Sequence, residues 1–148
     1  MERGETECRF LNPPDPPWPG RMLSVLRIVS ALVFITFGTM KLFNYPPLPK
    51  GMPPIQLVSQ LGLAGTLEFI GGSLILIGLF TRPVAFLLSG EMAVAYFQGH
   101  YPQSFWPTTN MGTPAILYCF IFLYFVFAGA GTWSVDAMIA RSRGGNPY

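Results

Sequence analysis

The sequence predicts an all-α membrane protein, an antiparallel bundle of four transmembrane helices with a short surface helix at the C-terminus. Three observations carry this. Of the 148 residues, 51% are hydrophobic and only 11% charged, where a soluble domain carries about 25% charge. Four apolar runs of helical length alternate with segments rich in proline and glycine. The stretch from Gly62 to Gln98 holds two of those runs joined by the brief turn Thr81-Arg82-Pro83, which reads as a membrane hairpin.

Residues 1–21 form the first segment, expected to be a flexible, proline-rich cytoplasmic tail. It combines Glu2, Glu5, Glu7 and Asp15 with Pro13, Pro14, Pro16, Pro17 and Pro19. Such a composition buries no core and favours extended backbone. Its acidic start and lack of an apolar stretch set it apart from a cleavable signal peptide. The membrane domain covers residues 22–140, with spans expected at about 22–43, 61–80, 83–98 and 114–132, and residues 141–148 form a C-terminal tail. A run of about 20 residues at about 1.5 Å each crosses a hydrocarbon core of roughly 30 Å.

Within the first span, Arg27, Ser30, Phe34, Gly38 and Lys41 recur at three- and four-residue spacing and share one stripe, which should face the protein. Asn44 to Gln60 is a proline-rich loop that breaks the helix. In the hairpin turn, Thr81 suits a helix N-cap, Pro83 a first turn and Arg82 a lipid headgroup. The loop Gly99–Thr113 carries Tyr101, Phe105 and Trp106, residues that belong at a membrane interface. The fourth span starts at Pro114, capped by Asn110 or Thr113, and is followed by a short surface helix from Ser134. Of the nine Lys and Arg, seven (Arg3, Arg9, Arg21, Arg27, Arg82, Arg141, Arg143) fall on the side that holds both termini, which are therefore expected in the cytoplasm.

Charge and cysteine content exclude several function classes. A net charge of +2 without basic clusters does not fit nucleic-acid binding. Cys8 and Cys119 are too far apart for a CxxC pair, and one His with two Cys cannot furnish a bis-His haem, an iron–sulfur cluster or a four-ligand zinc site. No metal site and no cofactor are evident, so any redox centre would be supplied by a partner.

The most informative residues are Glu68 and Glu91, one acid in each arm of the hairpin. A charged carboxylate at membrane depth costs at least about 2.5–3.5 kcal/mol, so each must be paired, protonated or in contact with water. Depth along the helices predicts two ion pairs, Lys41 with Glu68 and Arg27 with Glu91. Gly65 and Gly72 share the stripe of Glu68, which allows close helix approach around the acid. Two readings remain open: the carboxylates latch the bundle, or Glu68, Glu91, Arg27 and Lys41 line a polar pocket that handles protons or a quinone. His100, Asn110 and Tyr118 are weaker site candidates.

The residues that recur in order along the chain resemble the DoxX family of small four-helix bacterial membrane proteins. They are Arg27 followed by Phe37-Gly38-Thr39-Met40-Lys41; then Glu68, Gly71-Gly72, Gly78-Leu79 and Thr81-Arg82; then Asn110 and Gly112; and finally Gly129-Ala130-Gly131, Trp133-Ser134 and Asp136. The resemblance spans about residues 22–140. Where the family often places an acid after N-x-G, this chain has Thr113 and Pro114, so no role of that acid carries over. The resemblance implies a multi-pass protein of the bacterial inner membrane and an accessory or subunit of a quinone-linked oxidoreductase, with a quinone as cofactor, that does not catalyse alone. The lipid bilayer, a second copy of the chain or a redox protein are the implied partners. A small-molecule or ion carrier and a scaffold without catalysis are the alternatives.

Overall fold

The computed structural model describes residues 18–48 and 55–144. The expectations for most of the N-terminal tail, with Arg3, Cys8 and Arg9, for Lys50 and for the last four residues lie outside the described residues. All regular structure among the described residues is helical. The helices are α1 (Trp18–Phe43), α2 (Gln60–Ile77), α3 (Thr81–Ala95), α4 (Thr113–Ala128) and α5 (Val135–Ser142). A π-helical turn, Tyr96–His100, prolongs α3.

The helix ends follow from local chemistry. Ser59 caps α2, its hydroxyl accepting the Gly62 N–H at 3.2 Å. That helix stops at Ile77 because Gly78 turns left-handed (φ 70°) and returns its N–H to Leu74 and Ile75. A Cβ on Gly78 would meet the Ser134 side chain and the Arg27 guanidinium, so glycine is needed there twice over. The expected N-cap at Thr81 is not what forms. Phe80 occupies the cap position with φ 50° and contributes no side-chain bond. The free N–H groups of Phe80 and Thr81 are instead taken by the carboxylate of Asp136, each at 2.9 Å. Neither Asn110 nor Thr113 caps α4 either. Gly112 is its N-cap, while Asn110 folds back on the Gly112 N–H at 2.7 Å and Thr113 donates to the Pro107 carbonyl.

α1 packs along α2 and α3 along α4; contacts of α2 with α3 and of α1 with α4 close the ring. Glycine brings the first pair together. A Cβ on Gly38 would stand 2.6 Å from the Phe69 backbone nitrogen, and one on Gly65 2.8 Å from Lys41 Cβ. On the other side of α2, Gly71 receives the Leu88 side chain of α3. The apolar centre holds Ala31, Phe34, Ile75, Leu88, Phe122 and Phe125, with Phe34 and Phe122 edge to face at 4.7 Å.

The exterior is more apolar than the interior requires. Val29, Leu32 and Val33 on α1, Leu63 and Ile70 on α2, Phe86 and Leu87 on α3, and Phe120 and Phe127 on α4 are all exposed, while Arg27, Glu68, Ser24, Ser30, Thr81 and Ser89 are buried. Water would not tolerate so broad an apolar surface, whereas hydrocarbon selects it. By length and hydropathy α1 and α2 are each sufficient to cross a membrane, and α4 is a shorter apolar helix.

Candidate functional site

α1, α2 and α3 each contribute one ionisable side chain to a cluster inside the bundle. Lys41 sits near the C-terminal end of α1, where its ammonium pairs with Glu68 Oε1. Glu68 lies in the middle of α2, about 12 Å from the start of the helix, and only 2% of its side chain is exposed against 18% for Lys41. Gly65, one turn before Glu68, lets the Lys41 stem lie flat against α2. Glu91 enters from α3, and the charges that bear on it are those of Glu68 and Lys41. Glu68 Oε2 and both carboxyl oxygens of Glu91 are buried without a hydrogen-bond partner. At the same end of the bundle Gln60 and Gln98 join α2 to α3 by a side-chain hydrogen bond.

Arg27 does not meet Glu91. Fully buried at the opposite end, it spends its guanidinium on four backbone carbonyls. Nε donates to Ala130 at 2.7 Å, Nη2 to Trp133 at 2.6 Å, and Nη1 to Ile75 and Leu76. Ile75 and Leu76 close α2, where the Ile75 carbonyl accepts only the shared N–H of the Gly78 cap, and a cation beside these carbonyls also meets the negative end of the helix dipole. The acid whose charge bears on Arg27 is Asp136. The expected Arg27–Glu91 pair is thereby replaced by two separate layers: Arg27 organises one end of the bundle, and Glu91 joins the Lys41–Glu68 pair.

The weaker candidates make contacts of other kinds. His100 Nδ1 lies 2.9 Å from the Asn110 carbonyl oxygen. The Asn110 side chain bridges Ser104 and Gly112. His100 thus ties the loop after α3 to the π turn, Asn110 folds that loop on itself, and Tyr96 of the turn packs close against Gly112. Tyr118 is part of an aromatic stack with Phe34 and Phe122. Among the described residues no three His, Cys, Asp or Glu side chains come together as a metal site would need.

Asp136 is the residue whose role charge patterning did not reveal. Its place at the start of an amphipathic surface helix gave no sign that it caps a different helix, since only the fold brings α5 under the start of α3. Ser24 belongs to the same layer: its hydroxyl donates to the Gly20 carbonyl at 2.9 Å and accepts the Trp133 N–H at 3.1 Å. A groove of about 300 Å³ opens beside this layer, lined by Thr81, Arg82, Gly129, Ser134 and Asp136 among others. It sits at the far end of α2 from the start that leads to Glu68 and Lys41.

The DoxX family model matches residues 22–101, the part of the chain that supplies Arg27, Lys41, Glu68 and Glu91. An uncharacterized protein of Haemophilus influenzae is 44% identical over 117 residues, which cover 77% of this chain and 87% of that relative. No solved structure matches the chain.

Proposed function

The chain belongs to the DoxX family, and from that premise we propose that this membrane-type protein is a subunit or accessory of a quinone-linked oxidoreductase. The observation that carries the reading is the cluster of Lys41, Glu68 and Glu91, with three buried carboxylate oxygens free of partners inside helices whose outer faces are apolar. Ionisable groups at membrane depth cost free energy, and their retention points to work on protons, ions or polar ligands. The link to quinones comes from the family's association with membrane redox chemistry. A partner supplies the redox centre, because the chain itself offers too few ligands for one.

The same proposal includes the topology. α1, α2, α3 with its π turn, and α4 with the loop behind it each cross the bacterial inner membrane, and both termini face the cytoplasm. Arg21, Arg82 and Arg141 then share the inner side while Lys41 reaches inward from the outer one, as the positive-inside bias requires. Gentle extraction from native membrane followed by mass spectrometry tests the function. A quinone or an oxidoreductase subunit at near-stoichiometric level is the expected result, and clean protein with neither would overturn it. Unchanged quinone binding in Glu68→Gln would remove Glu68 from the pocket.

The unpartnered oxygens of Glu68 and Glu91 also suit a carrier of a small cation. The Arg27 layer weighs against that reading, because it closes the opposite end with a fully buried guanidinium and its four carbonyls. Uptake into liposomes that Glu91→Gln abolishes would reverse the order of the two readings.

A further inference from the structure

Charge and hydrogen-bonding capacity at the cluster imply a stoichiometry. Lys41 brings one positive charge and commits it to Glu68. Glu68 and Glu91 bring two carboxyl groups, with three of their four oxygens unpartnered. If both were ionised, one negative charge would stand uncompensated among apolar helices, the most costly state available there. A single added proton makes the cluster neutral and removes that cost. We propose that Glu68 and Glu91 together hold one exchangeable proton per molecule, and that Lys41 sets the number at one instead of two. The proposal rests on taking this cluster as the working site of the protein.

No other described side chain competes for the role. α4 carries only Tyr118, Cys119 and Tyr124 as ionisable groups. Tyr118 stacks on Phe34 and Phe122, Ser89 donates to the Cys119 carbonyl at 2.9 Å, and Tyr124 faces outward. His100 is engaged with the Asn110 carbonyl and Arg27 with its four carbonyls at the other end. Lys41 is more exposed than Glu68, and Glu91 is half-buried like Lys41, so exchange with the surroundings runs past these two side chains.

Infrared spectroscopy of the full chain in lipid vesicles tests the proposal with the proton itself as the probe. A protonated carboxylic acid has a carbonyl stretch that a carboxylate lacks, and it shifts in deuterium oxide when the proton exchanges. The wild type should show one carboxyl equivalent near neutral pH. Glu91→Gln should abolish it. Glu68→Gln should abolish it too, because Lys41 then neutralises Glu91. Lys41→Met should double it, since both acids must then be neutral. A wild-type spectrum with no such band, or with two equivalents, overturns the proposal without recourse to any variant. A band that persists in both Gln variants also overturns it. Neither a quinone nor a partner is needed for the measurement, so a failed search for a redox partner leaves this result standing, and a missing band leaves the redox reading open.

Discussion

Asp136 reaches from α5 to the start of α3, where its Oδ2 accepts the Thr81 backbone N–H at 2.9 Å while its Oδ1 takes that of Phe80 at the same distance. Asp136 N–H in turn donates to the Gly78 carbonyl at 2.9 Å. The hairpin between α2 and α3 is thus fixed by a residue more than fifty positions away, and α5 is fixed by the hairpin. A carboxylate at the positive end of a helix dipole adds an electrostatic share to the cap. Asp136→Ala should lower stability by about 1–2 kcal/mol, and Asp136→Asn, which keeps one acceptor, should lose less. Reversible unfolding in mixed micelles would show the order of the two variants.

Arg27 holds the same layer from above. Removing its guanidinium takes a donor from four backbone carbonyls, of which Ile75 keeps the Gly78 N–H, and each one left orphaned costs about 1–3 kcal/mol. Arg27→Ala should therefore prevent stable folding. Arg27→Lys, a point charge in place of a planar fork, should still cost about 2 kcal/mol or more. Because Arg27 and Glu91 share no contact, the losses in Arg27→Lys and Glu91→Gln should add to within about 0.5 kcal/mol. A coupling well beyond that would restore the ion pair that depth along the helices had predicted.

That mistaken pair shows which parts of the site were legible. Lys41 and Glu68 could be matched from sequence because both lie on stripes marked by glycine, Gly38 on α1 and Gly65 on α2, and helices that touch through glycine bring their polar neighbours together. The partner of Arg27 could not. Charge patterning offers only side chains as partners, whereas the groups that Arg27 binds are backbone carbonyls at a helix end and in the turn after α4. The expected span 83–98 already put Glu91 near mid-helix, where Thr81–Ala95 and the π turn to His100 also place it; depth alone did not show that Lys41, from the far end of α1, bears on it. Helical class and the hairpin were readable from hydropathy and the Gly-x-x-Thr-Arg-Pro sequence alone. The dependence of that hairpin on Asp136 was not, because it arises from a contact between distant segments.

Lys41 and Glu68 should behave as a coupled pair. Lys41→Met takes the cation from a buried carboxyl, which must then bind a second proton to stay in place, and breaking a buried pair from one side typically costs about 3–5 kcal/mol. Adding Glu68→Gln removes the acid that needs that second proton, so the double variant should be more stable than Lys41→Met alone, with a coupling of about 1–3 kcal/mol. A double-mutant cycle on unfolding free energy measures it directly. Additive losses would mean that the two side chains do not share the pair seen between α1 and α2.

Two glycines should respond in opposite directions to the same substitution. Gly38 lies where α1 and α2 touch, and a methyl group there would stand 2.6 Å from the Phe69 backbone nitrogen and 2.9 Å from its Cα. Backbone cannot rotate aside as a side chain can, so Gly38→Ala must push the two helices apart, at a cost of about 1–3 kcal/mol. The displacement also moves Lys41, one turn further along α1, away from Glu68. Gly90 sits on the outer face of α3 with nothing within 4 Å of an added Cβ. Gly90→Ala removes only the backbone entropy penalty of a mid-helix glycine and should be neutral or stabilising by up to about 1 kcal/mol. If the pair were measured together and Gly90→Ala proved the more damaging, the face of α3 carrying Gly90 would be a packed interface instead of a lipid-facing surface, and a second copy of the chain or a partner helix would be required to explain it.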